Sequence, residues 1–139
     1  MSVRLSSLLH DRLIASARAA AGEEICGLLL GTRDAIADIV PAANVARDRA
    51  RRFEIDPATL LAAHRSARQG GRAVIGHYHS HPQGNPVPSP TDAAQALPDG
   101  QFWLVIASGG MRLWQAGEGG LHDRFVERQL IVEGQALDA

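Results

Sequence analysis

The chain has 139 residues, a formal net charge of −1 and fourteen basic residues, every one of them an arginine. A length near 150 residues is typical of one domain that buries roughly 70% of its unfolded surface, so we expect residues 1–139 to form a single domain. The small net charge argues against nucleic acid or an anionic membrane as a partner, and the absence of lysine excludes Schiff-base and P-loop chemistry.

The cysteine content and the N-terminal residues exclude further classes of protein. Cys26 alone can form neither an internal disulfide nor a zinc site of paired cysteines. The N-terminal residues lack the basic and then apolar pattern of an export signal, and no apolar run approaches the ~20 residues of a membrane span. We therefore expect a cytoplasmic protein with no membrane partner.

Helix and strand signals alternate in the first half of the chain. Apolar residues at helical spacing predict a helix from Ser7 to Ala20. A continuously apolar run predicts a strand buried on both faces from Glu24 to Leu30. Shorter strands are predicted at Ala35–Val40 and Arg52–Ile55, with an arginine-rich loop at Arg47–Arg52 between them.

From Asp56 onward the sequence predicts a further helix, a strand that leads into a proline-rich loop, and a hairpin. In chain order the elements are a helix from Asp56-Pro57 to about Gln69, a strand Ala73–His79, a short helix near Pro90 to Leu97, strands Phe102–Ala107 and Met111–Gln115 around Gly109-Gly110, and an edge strand Arg124–Val132. This order predicts an α/β domain, three-layered or barrel-like, with a mixed sheet flanked by helices.

Two histidines and an aspartate form the strongest chemical signal. His79 and His81 are two residues apart at the end of a predicted strand, so their side chains leave the same face, and Asp92 follows in the next predicted helix. Three protein ligands are typical of a catalytic zinc site, which keeps a fourth position for water. Two nitrogens and one oxygen also suit Fe²⁺, Mn²⁺ or Co²⁺, so the residues alone leave the metal open.

Each part of this signal also has an ordinary structural interpretation. Histidines on half-buried strands can make common hydrogen bonds. Ser89-Pro90-Thr91-Asp92 is a helix start in its own right, with serine as N-cap and proline at the first helical position. Both interpretations can hold together, because a capped first turn is a rigid platform for a ligand.

A third segment completes a family pattern. Glu24-x-Cys26-Gly27 on an apolar strand, then His-Ser-His-Pro, then Ser-x-x-Asp, resembles in order the JAMM motif of the MPN-type metallopeptidases, here a compact prokaryotic member. The resemblance covers nearly the whole chain, since Phe53–Pro57 and Gly76–Pro82 are also similar to family landmarks. It implies a zinc-dependent peptidase with a cytidine-deaminase-like sheet flanked by helices.

The resemblance also implies a role for each residue of the motif. His79, His81 and Asp92 would hold one zinc ion per chain, Glu24 would be the general acid and base, and Ser89 would support the developing oxyanion. A carboxylate beside a metal can take a proton from water and hand it to the leaving amine, which is typically worth about 10²–10⁴-fold in rate. A fixed donor at the oxyanion is worth on the order of 3 kcal/mol.

Neighbouring residues offer alternatives to these assignments. Glu23 would face away from Glu24 on an extended strand, so spacing alone permits either as the base, and the family pattern selects Glu24. Cys26 is expected to be a small buried residue rather than a catalytic thiol. His77 could in principle supply a third nitrogen. His10, His64 and His122 are scattered, and we expect ordinary roles for them.

The resemblance also bears on the substrate. MPN-type metallopeptidases hydrolyse peptide or isopeptide bonds at the C-terminal tails of ubiquitin and ubiquitin-like proteins, and compact bacterial members are associated with sulfur-carrier proteins that end in Gly-Gly. Only nine residues separate Asp92 from Phe102, which leaves little room for an insertion that grips a large substrate. We therefore expect a small ubiquitin-like or sulfur-carrier protein as substrate and partner, held as an extended tail. The alternatives are a non-catalytic MPN scaffold and a peptidase for cell-wall or other small peptides.

Overall fold

A computed structural model describes residues 1–20 and 22–134. Seven strands and three helices lie within this described part of the chain. In chain order they are β1 (Ser2–Ser6), α1 (Ser7–Ala19), β2 (Cys26–Gly31), β3 (Ala35–Ala42), α2 (Pro57–Arg68), β4 (Ala73–Ser80), α3 (Pro90–Gln95), β5 (Phe102–Ala107), β6 (Gly110–Leu121) and β7 (Phe125–Glu133). None of the described helices is long and apolar enough to cross a membrane.

The strands form one closed, mixed barrel in the order β1-β3-β2-β4-β5-β6-β7. Strand β1 pairs in parallel with both β3 and β7, and β4 pairs in parallel with β5. The remaining neighbours are antiparallel. The prediction of a mixed, barrel-like α/β domain is thus confirmed.

The closed barrel differs from the predicted sheet in two respects: β7 is not an edge strand, and the barrel contains an additional strand, β1. We expected an edge strand at Arg124–Val132, but β7 is paired on both sides, with β6 and with β1. Strand β1 was not predicted, because its five residues bury only Val3 and Leu5 and form too short an apolar pattern. Because both flanks of β7 are paired, the barrel leaves no free edge there.

Two other boundaries differ from the prediction. The predicted strand Arg52–Ile55 is wrong, because that segment contributes only an isolated bridge between Asn44 and Ile55. Strand β6 is longer than Met111–Gln115 and extends to Leu121 through a register shift after Ala116. The shift coincides with a glycine-rich run, where backbone freedom permits an irregular ladder.

The helices begin where the sequence places caps. The side chain of Ser6 accepts a hydrogen bond from the Leu9 amide at the start of α1, which buries Leu9 and Leu13 against the barrel. Asp56 caps α2 in the same way, before Pro57. No residue of α2 is fully buried, so this helix packs on β4 mainly through partly exposed side chains.

Two glycines allow strands to approach closely beside the predicted metal ligands. The ring of Tyr78 on β4 covers Gly27 on β2, where an added Cβ would come within 2.4 Å of ring atoms. A Cβ at Gly76 would lie 2.1 Å from the carbonyl oxygen of Phe102. These two contacts bring β2, β4 and β5 together just before His79, so the end of β4 lies on a rigid part of the barrel.

Candidate metal centre

The parallel pair β4 and β5 determines where the two histidines lie. His79 is the seventh residue of β4 and is fully buried, while His81 follows the strand and is partly exposed. The amide of His81 donates to the carbonyl of Ile106 at 2.7 Å, which extends the pairing of the two strands by one residue. His79 and His81 therefore hold fixed positions at one end of the barrel.

Three side-chain atoms converge at this end. The Nε2 atoms of His79 and His81 are 3.2 Å apart, and they lie 3.1 and 3.2 Å from Oδ2 of Asp92. His79 and Asp92 are buried. Among the described residues, these three form the one group of histidine, cysteine and acidic side chains that could hold a metal ion.

The hydrogen-bonding roles of these atoms fit a cation. Nδ1 of His81 lies 2.9 Å from the carbonyl oxygen of Asn85, which can only accept, so Nδ1 carries the proton. Nε2 of His81 faces the carboxylate of Asp92 and the ring of His79. With Nδ1 protonated, Nε2 either carries a second proton that it donates to Asp92, or presents its lone pair to a cation bound between the three side chains.

The spacing of the donor atoms fits zinc as well. A tetrahedral site with metal–ligand bonds of about 2.05 Å places its ligand atoms about 3.3 Å apart. The observed separations of 3.1–3.2 Å are close to this value. Nδ1 of His79 has no partner within the described part of the chain, and its ring stacks on Phe53 with centroids 4.3 Å apart.

The protonation of the three groups is coupled. Burial lowers the pKa of His79. Burial would also lower the pKa of His81, but hydrogen bonds to Asp92 and to the carbonyl of Asn85 outweigh it and raise that pKa. The pKa of Asp92 is lowered, because the two histidines outweigh the effect of its burial. Asp92 is therefore a carboxylate throughout the neutral range.

A capping box fixes Asp92. The hydroxyl of Ser89 accepts from the Asp92 amide at 3.0 Å, and Oδ2 of Asp92 accepts from the Ser89 amide at 2.9 Å. The predicted helix start is confirmed, with Ser89 as N-cap and Pro90 in the first turn. The same Asp92 oxygen faces the two histidines, so the helix cap and the candidate metal site share one atom.

Glu24 lies buried at the mouth of the site, just before β2 rather than inside the predicted strand. Its backbone is held by Arg49 and Asn44, and its side chain is only 5% exposed. Oε1 has no hydrogen-bond partner among the described residues. Burial raises the pKa of Glu24 to about 7, while His81 lowers it and Asp92 raises it to a smaller extent.

The alternative residues lie elsewhere. Glu23 is exposed and pairs with Arg49 at 3.4 Å. Cys26 is buried, as expected, and burial raises the pKa of its thiol to about 11. The ring of His77 packs edge-on against Trp103, and burial lowers its pKa to about 3. His77 is absent from the group of converging donors.

The segment from His81 to Ser89, which we call the metal loop, makes two contacts that the sequence analysis did not anticipate. Trp114 donates from Nε1 to the carbonyl of Pro86 at 3.1 Å. His122, for which we expected an ordinary role, lies 3.0 Å from the carbonyl of Pro88 through Nε2. The run of prolines was the available signal, because a segment with few amide protons depends on other groups to bind its carbonyls.

A closed mixed barrel with converging histidine and aspartate donors beside an unpaired buried carboxylate defines the class as a metal-dependent hydrolase. Comparison with known proteins agrees. Residues 6–117 match the family model described as prokaryotic homologs of the JAB domain, and the chain belongs to this family. The resemblance to the JAMM metallopeptidases is confirmed.

Two relatives and one solved structure illustrate the match. The chain is 33% identical over 135 residues to a desampylase of Haloferax volcanii, covering 93% of this chain and 95% of the relative. It is 30% identical over 102 residues to a probable TtuB-protein conjugate cleaving protease of Thermus thermophilus, covering 71% and 66%. A solution structure from Desulfitobacterium hafniense has a TM-score of 0.81 at 24% identity, covering 99% and 97%.

Proposed function

We propose that the protein is a zinc-dependent peptidase that hydrolyses the bond after the C-terminal Gly-Gly of a small ubiquitin-like or sulfur-carrier protein. The observation that carries the proposal is the buried, unpaired carboxylate of Glu24 at the mouth of a cleft beside three converging metal donors. The protein acts as a single domain over residues 1–139, and its location is cytoplasmic.

His79, His81 and Asp92 would hold the zinc ion. Once bound there, zinc supplies a Lewis acid that polarises the scissile carbonyl and lowers the pKa of water. The lone pair of His81 faces the site because its other nitrogen donates to Asn85. The Asp92 carboxylate keeps its orientation through the capping box with Ser89. These contacts orient the donors before the ion arrives, so little ordering remains to be done.

Glu24 moves the proton. A carboxylate whose pKa is raised toward 7 by burial can accept a proton from the attacking water and give it to the departing amine at nearly the same pH. The unpaired Oε1 is free to take that proton. Loss of such a group typically costs about 10²–10⁴-fold in rate.

Ser89 is suited to the developing oxyanion. Its Oγ accepts the Asp92 amide proton, so the hydroxyl proton remains available to donate in another direction. The residue is only partly buried and lines the same cleft as Glu24 and His81. A donor fixed in this way contributes on the order of 3 kcal/mol to transition-state stabilisation.

The cleft suits a slender peptide. It measures about 470 Å³ and is bordered by Gly22, Arg51, Pro82 and Gln83 in addition to the residues above. Glycines at the last two positions of a substrate tail present no side chain to its walls, so the carbonyl can approach Glu24 closely. The names of the relatives, a desampylase and a protease of TtuB–protein conjugates, support a ubiquitin-like conjugate as substrate.

The test uses fusions of a residue or short peptide after the Gly-Gly end of sulfur carriers encoded by the same genome. Mass spectrometry should detect release at that bond by the zinc-loaded protein. Replacing the diglycine with bulky residues should lower kcat/KM more than changing the released residue does. Cleavage of unrelated short peptides with the carriers left intact would contradict the substrate and leave only the metallopeptidase.

A further inference from the structure

The metal loop has an unusual shortage of backbone donors. Pro82, Pro86 and Pro88 carry no amide proton, and residues 81–89 belong to no described helix or strand. A segment of this kind cannot fix its own path through a hydrogen-bonded ladder. Its geometry has to be imposed by side chains that bind its carbonyl oxygens.

The hairpin formed by β6 and β7 supplies two such side chains. Trp114, buried on β6, binds the carbonyl of Pro86, and His122 in the turn between the strands binds the carbonyl of Pro88. A carbonyl oxygen only accepts, so Nε2 of His122 carries the proton and donates. The hairpin is thus attached to the metal loop at two places, through strand β6 at Pro86 and through its turn at Pro88.

The contact of His122 reaches the ligand set through one planar group. The oxygen of Pro88 and the amide of Ser89 belong to the same peptide unit, which is rigid. His122 donates to the Pro88 oxygen of that peptide unit. The Ser89 N–H of the same unit donates to Oδ2 of Asp92 at 2.9 Å. A hydrogen bond to the oxygen also polarises the unit and strengthens its N–H as a donor.

The backbone of the turn is left-handed at both of its central residues. His122 and Asp123 have φ values of 53° and 54°, and the Arg124 amide donates to the carbonyl of Leu121 across them. Positive φ at both central positions is what a tight hairpin turn requires, and glycine adopts it with less strain than a residue with a Cβ. Asp123 also accepts from the Gly119 amide. The strain therefore belongs to the turn, and a test of the His122 side chain has to be separated from it.

We propose that His122 is a positioning residue for the metal centre: through the Pro88–Ser89 peptide it fixes the orientation of the Asp92 carboxylate and of the Ser89 hydroxyl. The inference rests on the metal site of the proposed function and not on its substrate. Loss of a group bonded directly to a metal ligand typically changes metal affinity or activity by about 10–100-fold, and His122 acts one peptide further away, so we expect an effect at the lower end of that range, about 10-fold.

The test separates the side chain from the backbone strain. His122→Gly removes the donor and relieves the left-handed backbone, so thermal stability should hold or rise while zinc affinity falls by about 10-fold. The visible spectrum of the cobalt-loaded protein should change, and kcat should fall more than KM rises. His122→Gln keeps an N–H donor and should restore most of the zinc affinity.

Asp123→Gly is the matched control, because it relieves the same strain in the same turn and removes a side chain that hydrogen-bonds to the Gly119 amide and not to the metal loop. It should leave zinc affinity and the cobalt spectrum unchanged. An equal loss in this variant, an unchanged His122→Gly protein, or failure of His122→Gln to restore affinity would each overturn the inference. A protein with His122-dependent zinc binding that cleaves no Gly-Gly fusion would contradict the proposed function alone.

Discussion

Glu23 and Glu24 are adjacent in sequence, yet their environments are opposite. The first is exposed and paired with Arg49, whereas the second is buried with an unpaired carboxylate oxygen. The sequence pattern could not separate them by spacing, because either can be placed on the inner face by a shift of one residue. The structure separates them by burial, which is the property that makes a carboxylate a useful proton carrier.

Replacement of Glu24 by Gln should abolish hydrolysis, with a loss of about 10²–10⁴-fold in kcat, because an amide of the same size cannot accept the proton of water. Zinc content, measured by metal analysis, should remain near one per chain. Glu23→Gln is the control and should keep most of the activity. The opposite pattern would place the base on the neighbouring residue.

The stability of the metal-free protein should also report on Glu24. Its pKa is raised from 4.5 to about 7 in the folded state, so its contribution to stability is fully present below pH 4.5 and is lost as pH rises through 7. The glutamine of Glu24→Gln does not ionise, so the variant does not lose stability in this way as pH rises. The stability of the variant relative to the wild type should therefore increase between pH 4.5 and pH 8, by at most about 3 kcal/mol.

Urea unfolding in the presence of a chelator measures this difference directly. Glu23→Gln removes a solvent-exposed carboxylate and should not reproduce the dependence. A difference between Glu24→Gln and wild type that stays constant from pH 4.5 to pH 8 would mean that Glu24 is solvated in the folded protein.

At the scale of elements, two serines cap helices with similar geometry, but only one of them lies in the metal centre. Ser6 caps α1 and does not line the cleft that holds Glu24 and His81, whereas Ser89 caps α3 and lines that cleft. Each accepts a backbone amide, at 3.2 and 3.0 Å. Comparing the two serines separates the loss of folding stability caused by removing a cap from the loss of catalytic rate.

Ser6→Ala and Ser89→Ala should each lower the free energy of unfolding by about 1 kcal/mol. Only Ser89→Ala should also reduce kcat, by a further factor of about 10²–10³, because the hydroxyl at the oxyanion is lost. Chemical denaturation and steady-state kinetics measure the two effects. Equal kinetics in the two variants would restrict Ser89 to a capping role.

The elements that sequence predicted correctly are those whose signals are local. The His79–His81 alternation, the Ser89 cap and the stop after α2 each depend on residues within a few positions of one another. The pairing of β1 with β7 could not be predicted from the sequence. The two strands are more than 120 residues apart, and a parallel pair has no tight turn between its strands that the sequence could indicate. The contact of His122 with Pro88 was missed for the same reason, since no pattern links a turn histidine to a distant carbonyl.

At the scale of the whole molecule, the barrel has an apolar core of its own. The larger core cluster has Leu13, Leu29, Phe102 and Leu104 among its members. The smaller cluster, which includes Phe53 and Trp103, packs against the buried ring of His79. Because this apolar packing comes from side chains of the strands and helices, we expect the protein to fold without metal and metal binding to add to its stability.

Zinc should accordingly raise the unfolding midpoint without being required for folding. At a free concentration of 1,000 times its Kd, it should add about 4 kcal/mol to the free energy of unfolding. The chelated protein should keep its circular dichroism spectrum. The stabilisation should shrink as pH falls, since protons compete with zinc for the histidines. Because the pKa of His81 is raised, this competition should begin at a higher pH than the value of about 6.5 for a free histidine. In Asp92→Asn, zinc should raise the unfolding midpoint much less than in the wild type. If the wild-type protein unfolds when a chelator removes the metal at neutral pH, the zinc is structural and this prediction is wrong.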